Sequence, residues 1–146
     1  MVFSGAPGLG KTFLSACIAR TVSERGFSVA YDSATAALGA FEREKFSRDP
    51  DETAEAANTV KHYLNCDLMI LDDLGTEMNT AFTQSALYTL INQRLTAGLP
   101  MIISTNLTEA DLSDRYTPQI TSRLLGEYQW LHFVGTDIRR LKERYP

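Results

Sequence analysis

The segment from Gly5 to Thr12 combines three glycines, a lysine and a threonine at fixed spacing. It reads Gly-Ala-Pro-Gly-Leu-Gly-Lys-Thr and fits the pattern G-x-x-x-x-G-K-[ST]. Glycines let backbone N–H groups turn inward around phosphate oxygens, Lys11 is expected to reach the β- and γ-phosphates, and the Thr12 hydroxyl is expected to reach Mg²⁺. The pattern predicts a nucleotide-binding loop with these contact residues: Gly5, Ala6, Pro7, Gly8, Leu9, Gly10, Lys11, Thr12 and Phe13.

Two adjacent acids, Asp72 and Asp73, follow the wholly apolar run from Leu68 to Leu71. Such a run is typical of a strand that is buried on both faces of a parallel sheet. Asp72 is expected to hold Mg²⁺, directly or through water, and Asp73 to orient or deprotonate an attacking water. The aspartate side chain is one methylene shorter than that of glutamate, which favours weaker water positioning. The alternative is that the pair only ends a strand and caps the next turn.

Asn106 closes a third apolar strand, which begins at Met101. A polar side chain at that strand tip is placed to contact the γ-phosphate or the attacking water, and Thr105 is a weaker candidate for the same role. The alternative is a turn-forming asparagine without a ligand.

The remaining chain alternates strand and helix patterns, which predicts an α/β fold: an open, mostly parallel sheet flanked by helices. Further predicted features are a first helix from Lys11 to Gly26, a strand over Phe27 to Tyr31, a helix cap at Ser33, a helix from Asp51 towards Leu64, a long helix ended by Gly98 and Pro100, a capping box over Thr108 to Asp111, a helix opened by Pro118, and a last strand over Trp130 to Val134.

Composition indicates one domain over residues 1–146 with a net charge of −4. This charge argues against a basic nucleic-acid-binding surface over the whole domain but allows a local patch. The sequence contains neither a signal peptide nor a membrane-length apolar run, so we expect a cytoplasmic protein. Cys17 and Cys66 are expected to be buried free thiols, and His62 and His132 to be structural, because neither has metal-ligand spacing around it.

Four motifs, in order, resemble the AAA+ ATPase family: residues 5–12, Leu-Met-Ile-Leu-Asp-Asp-Leu-Gly over 68–75, Ile-Ile-Ser-Thr-Asn over 102–106, and Ile-Thr-Ser-Arg-Leu over 120–124. A narrower resemblance is to the bacterial helicase-loader ATPases of the DnaC/DnaI type. It rests on four motifs: Asp-Asp-Leu-Gly-Thr-Glu over 72–77, Ser-Thr-Asn over 104–106, Ser-Arg-Leu over 122–124 and Gly-Thr-Asp-Ile-Arg over 135–139. The transposition helper ATPases of the IstB type belong to the same group.

The resemblance implies a role for each matching residue. Lys11 and Thr12 fall in Walker A, Asp72 and Asp73 in Walker B, Asn106 at sensor 1, and Arg123 at the arginine finger that enters a neighbouring subunit's ATP site. The alternative for Arg123 is a solvated helix arginine. Arg139 and Arg140 match sensor 2 loosely, but a basic C-terminal edge is the favoured interpretation. Because the chain ends at Pro146, we expect it to lack the C-terminal helical lid that normally carries that arginine.

The implied function is ATP binding and hydrolysis, with Mg²⁺, by the AAA+ core of a DNA replication protein. A helicase loader would act as a homo-oligomer on single-stranded DNA and would bind the replicative helicase through an N-terminal region. Only three residues precede Ser4, so we expect the first strand to be truncated and this N-terminal region to be absent. The alternatives are an IstB-like transposition helper and a nucleotide-gated assembly module with little hydrolysis. A small-molecule kinase is disfavoured, since neither an acceptor pocket nor a basic lid is recognisable. Lys45, Phe46 and Arg48 form a weak DNA-contact cluster among acidic neighbours.

Overall fold

Short apolar runs and longer amphipathic segments alternate along the chain, and a computed structural model, which describes residues 1–141, forms strands and helices from them. The strands are β1 (Val2–Ser4), β2 (Val29–Ser33), β3 (Leu68–Leu74), β4 (Met101–Thr105) and β5 (Trp130–His132). The helices are α1 (Lys11–Glu24), α2 (Ala34–Phe46), α3 (Pro50–Asn65), α4 (Ala81–Thr96), α5 (Glu109–Arg115), α6 (Pro118–Gly126) and α7 (Ile138–Leu141).

The strands form one sheet in the order β2-β3-β4-β1-β5, and each neighbouring pair is parallel. Parallel neighbours require crossover connections, which the helices supply. The carboxyl ends of all five strands therefore lie at one edge of the sheet. β1 pairs with β4, placing Ser4 opposite Thr105, and β3 lies on the other side of β4. The predicted parallel α/β sheet is confirmed.

β3 is buried on both faces, as its continuous apolar run predicted. Met69 and Leu71 pack into a large core with residues of α2, α3, α4 and α6. Leu68 and Ile70 point to the other face, where α1 packs against them through Ile18, Ala19 and Val22. This alternation holds β3 rigidly, so the side chains that follow its apolar part have fixed positions.

The helix-start signals are largely confirmed. Thr108 and Asp111 form the predicted capping box of α5, and Pro118 stands in the first turn of α6. The expected cap of α3 at Asp51 is wrong: Asp49 is the cap, and its carboxylate accepts a hydrogen bond from the Asp51 N–H at 2.9 Å. The shift follows from Pro50, which has no N–H and suits the first helical position.

Some strand and burial expectations also change. β2 lies two residues later than predicted, and β3 continues through Asp72 and Asp73, with a register irregularity against β4 after Leu71. Cys66 is a buried free thiol, but the expectation of burial is wrong for Cys17, which is exposed.

Both histidine rings form hydrogen-bonding contacts within the chain. Among residues 1–141 no group of three or more His, Cys, Asp or Glu side chains is placed to hold a metal ion. Over the same residues, no helix is both long and apolar enough to cross a membrane.

Arg94, near the end of α4, is a fully buried cation that no local sequence pattern predicts. Its guanidinium donates hydrogen bonds to the carbonyl oxygens of Tyr63 (2.7 Å), Cys66 (2.9 Å) and Pro100 (2.8 Å). Burial lowers the pKa of Arg94. These bonds join the end of α3 to the residues just before β3 and β4, and so help to fix the two strands whose far ends carry the acidic and polar candidates.

Candidate functional site

The loop between β1 and α1 has the open backbone that its glycines predict. Gly5, Gly8 and Gly10 have φ values of 140°, 78° and 92°, a region that side chains disfavour. Gly10 also precedes α1 without providing a side-chain cap, so the first N–H groups of this 14-residue helix are available to an anion.

Lys11 lies inside this loop and is only 6% exposed. Its Nζ donates to the carbonyl oxygens of Gly5 at 2.6 Å and Ala6 at 2.8 Å. Burial lowers the pKa of Lys11, while the negative charges of Asp73 and Asp72 oppose that shift. Within the described residues Lys11 has no acidic side chain within ion-pair distance, so its charge is directed into the loop.

Asp72 stands at the carboxyl end of β3 and is 6% exposed. Its Oδ2 accepts a hydrogen bond from Thr12 Oγ1 at 3.0 Å. Its Oδ1 accepts from the Asp73 N–H at 3.1 Å and from the buried hydroxyl of Ser104 on β4. The two residues predicted to hold Mg²⁺ are therefore in direct contact.

Asp73 has a left-handed backbone with φ of 55°. Its N–H also donates to Ser104 Oγ at 3.0 Å, and its own side chain is exposed. Ser104 thus links the two adjacent acids to β4, which ends just before Asn106. The sequence interpretation included Ser104 in the Ser-Thr-Asn motif but gave it no role in the site.

Asp73 and Asn106 line one cavity of about 330 Å³ together with the glycine-rich loop. The lining residues are Pro7, Gly8, Gly10, Lys11, Thr12, Asp73, Asn106, Ile138 and Arg139. Four predicted contact residues, Gly5, Ala6, Leu9 and Phe13, are outside this set, and the ring of Phe13 is largely exposed. The structure therefore gathers the principal predicted residues around a single opening.

Tyr31, on β2, is a site residue that the sequence interpretation missed. Its Oη donates to Asp72 Oδ2 at 3.0 Å and lies 3.4 Å from the backbone oxygen of Thr12. Burial and the negative charge of Asp72 raise the pKa of Tyr31, so the phenol stays protonated and donates. The relevant signal is the pairing of β2 with β3, which local patterns do not provide.

The segment around Arg139 was expected to be a basic edge, but the structure places Arg139 in the cavity wall. The Ile138 N–H donates to the Gly8 carbonyl at 2.9 Å, and Arg139 pairs with Asp137 at 3.1 Å. A Cβ on Gly8 would lie 1.9 Å from the Asp137 carboxylate. This close approach explains why a glycine is needed there.

Arg123 lies apart from the cavity, on α6. Its Nε donates to Asn92 Oδ1 on α4 at 2.8 Å, and its Nη2 donates to Tyr88 Oη at 3.3 Å. The guanidinium carbon is 5.0 Å from the centre of the Tyr88 ring, within cation–π range. Arg123 is therefore held against α4 of its own chain, and it does not line the cavity.

The donor set fits a magnesium–nucleotide complex. An uncapped helix start and a buried lysine suit phosphate oxygens. Mg²⁺ prefers oxygen ligands and is usually held by one or two protein groups plus phosphates and waters. Thr12 and Asp72 supply such oxygens in contact with each other.

The phosphate loop joins a parallel strand inside the sheet to a helix, and acidic and polar groups stand at the ends of the neighbouring strands. These features define a P-loop NTPase domain of the AAA+ type. The sequence model of the IstB-like ATP binding proteins matches residues 1–142, and the chain belongs to that family.

Two curated relatives are replicative helicase loaders, which confirms the resemblance to the DnaC/DnaI group. DnaC of Escherichia coli (strain K12) is 23% identical over 133 residues, covering 90% of this chain and 53% of DnaC. DnaI of Bacillus subtilis (strain 168) is 30% identical over 115 residues, covering 77% of this chain and 35% of DnaI. The chain thus spans about half the length of DnaC and about a third of the length of DnaI.

A solved structure of the replication initiator DnaA, bound to AMPPCP and single-stranded DNA, has a similar fold. The TM-score is 0.79 at 21% sequence identity, covering 98% of this chain and 44% of that chain. At this identity the similarity supports the AAA+ fold, which the strand order independently shows.

Proposed function

We propose that this protein binds and hydrolyses ATP. The observation that carries the proposal is the convergence of the loop, Asp73 and Asn106 on one cavity, with Asp72 and Thr12 in contact beside it. Membership of an ATP-binding family supports the choice of nucleotide.

In this proposal Lys11 exchanges its bonds to the loop carbonyls for bonds to phosphate oxygens, and the N–H groups at the start of α1 bind the same anion. Thr12 and Asp72 hold Mg²⁺, which neutralises phosphate charge when bound. Asp73 accepts a proton from the attacking water or orients it. Asn106, which lines the same cavity, donates its amide hydrogens to the water or to the terminal phosphate.

Calorimetric titration with ATP and Mg²⁺ tests the binding step. We expect Lys11→Ala to weaken ATP binding about 100-fold, since it removes charge-assisted hydrogen bonds. Lys61→Ala, which removes an exposed lysine from α3, is the matched control and should bind like the parent. Equal ATP affinity in all three proteins would refute the proposed site.

Phosphate release tests hydrolysis and separates this proposal from a nucleotide-gated assembly module. We expect steady turnover in the parent and none in Lys11→Ala. If the parent binds ATP but its turnover equals that of Lys11→Ala, nucleotide-gated assembly is the better description.

We further propose that the protein acts as a helicase loader in the cytoplasm. In this proposal, subunits form an oligomer through the ATP site, and Arg123 of each subunit enters the ATP site of its neighbour. The oligomer binds single-stranded DNA and the replicative helicase. The named functions of the DnaC and DnaI relatives support the helicase partner. The DNA-bound DnaA structure supports the nucleic acid. In this proposal the contact with the helicase needs a segment beyond the ATPase core of residues 1–146.

The second candidate is an IstB-like transposition helper, favoured by the family match. Both candidates share the same ATPase core, so the partner decides between them. Affinity capture of the replicative helicase by the full-length gene product should succeed for a loader. Failure of that capture, with ATP binding intact, favours the transposition helper.

A further inference from the structure

Tyr31 reaches the predicted metal side of the site from the neighbouring edge strand. β2 pairs with β3 so that Tyr31 stands opposite Ile70, two residues before Asp72. The phenol bridges this offset and donates to Asp72 Oδ2 at 3.0 Å. The same carboxylate oxygen accepts the hydroxyl proton of Thr12, also at 3.0 Å.

We propose that Tyr31 is a positioning residue for the divalent cation of the bound nucleotide. It acts by fixing Asp72 Oδ2 in the orientation that receives the Thr12 proton. This inference rests on the proposed ATP site and adds a residue outside the motifs that define that site.

The hydroxyl chemistry explains why this orientation matters. A threonine hydroxyl has one proton and two lone pairs. When the Thr12 proton is donated to Asp72, both lone pairs remain available to a cation. If Asp72 Oδ2 turned away, the Thr12 proton would be donated to another acceptor, such as Asp72 Oδ1 at 3.3 Å, and the lone pairs of Thr12 would point in other directions.

Tyr31 differs from the other donors to Asp72. Ser104 is completely buried, and the Asp73 N–H is part of β3, so both restrain Oδ1 from within the sheet. Tyr31 restrains Oδ2 from the outer side and is 37% exposed. Its loss therefore removes one of the two hydrogen bonds to Oδ2 without opening the core.

The chain supplies a matched control on the same strand. The buried Tyr63 donates its phenol proton to Oδ2 of Asp32, which follows Tyr31 in β2. Asp32 points to the opposite face of the strand. Tyr63→Phe thus removes a tyrosine–aspartate hydrogen bond of the same type away from the loop.

The experiment is an ATP titration of the full chain in EDTA and at a series of Mg²⁺ concentrations. We expect Tyr31→Phe to raise the half-saturating Mg²⁺ concentration about tenfold, the lower end of the effect of residues that orient metal ligands. ATP affinity in EDTA should stay within about twofold, and Tyr63→Phe should match the parent in both measurements. Thermal unfolding without metal checks that both variants are folded.

Three outcomes would overturn the inference or its basis. If the parent responds to Mg²⁺ but Tyr31→Phe has the parent's Mg²⁺ dependence, Tyr31 has no positioning role. If Tyr31→Phe weakens binding equally in EDTA and in Mg²⁺, Tyr31 acts on the loop or the nucleotide instead. If the parent binds no ATP, the proposed function itself fails.

Discussion

The ATP-side residues and Arg123 are held in opposite ways. The sheet assembles the ATP-side residues within one chain: Asp72 and Asp73 stand near the carboxyl end of β3, and Lys11 and Thr12 begin the helix after the β1 loop. Arg123 stands on a helix and bonds side chains of a second helix. The phosphate-side residues are therefore assembled within one chain, whereas Arg123 lies outside their cavity.

The sharpest test of this division is Arg123→Ala. At protein concentrations that support oligomers, we expect hydrolysis to fall about 10³-fold, the lower end of the effect of an arginine finger, with ATP affinity unchanged. Phosphate release should recover when Arg123→Ala is mixed with Asp73→Asn, because each supplies what the other lacks. Arg20→Ala, an exposed arginine of α1, is the control. A parental rate for Arg123→Ala at every concentration would contradict the trans role.

Asp73→Asn tests the chemistry of the preformed side. We expect turnover to fall about 100-fold, because an amide cannot accept the proton of the attacking water, while calorimetric ATP affinity stays close to that of the parent. Asparagine tolerates the left-handed backbone of this position, so the fold is preserved. Asp114→Asn, an exposed acid of α5, should hydrolyse ATP normally. Unchanged turnover in Asp73→Asn would assign the water to another group.

Glu77 connects the two regions. Its carboxylate accepts the Gly75 N–H at 2.8 Å and the hydroxyl of Tyr116, and it lies 3.7 Å from Arg115. The loop after β3 is thereby joined to the segment that leads into α6. Glu77→Gln replaces a buried carboxylate with a neutral amide, so we expect the free energy of unfolding to fall by about 2 kcal/mol.

Urea unfolding measures that change, with Glu55→Gln on the exposed face of α3 as the control. An unchanged midpoint in Glu77→Gln would show that the two regions are not joined through this carboxylate. If stability falls while ATP affinity is retained, Glu77 connects the regions without shaping the cavity.

Asn92→Ala should have the smallest effect. It removes the 2.8 Å hydrogen bond that holds Arg123 against its own chain, so Arg123 needs less free energy to reach a neighbour. We expect the protein concentration for half-maximal hydrolysis to fall about threefold, in line with one hydrogen bond. A rise in that concentration would mean that Asn92 instead orients Arg123 for use.

Local patterns were sufficient for much of the molecule. The glycine spacing predicted the loop, and the apolar run before Asp72 predicted a strand buried on both faces. The polar residue at the next strand end, Asn106, followed from the same parallel-sheet logic. These features depend on residues close together in the sequence, or on the single fact that parallel strands end at one edge.

Long-range packing produced the features that the sequence did not reveal. Tyr31 reaches Asp72 only through the register of β2 against β3. Arg139 enters the cavity because the Ile138 N–H bonds to the Gly8 carbonyl, a contact that no periodicity encodes. Arg94 was unexpected because three backbone carbonyls, rather than an acidic side chain, receive its guanidinium.

The left-handed backbone of Asp73 restricts which amino acids can occupy this position. Left-handed φ values cost most side chains about 1 kcal/mol or more, whereas aspartate and asparagine, with short polar side chains, are several-fold enriched in that region. Exchanging Asp73 for glutamate would therefore change the backbone energy as well as the reach of the carboxylate.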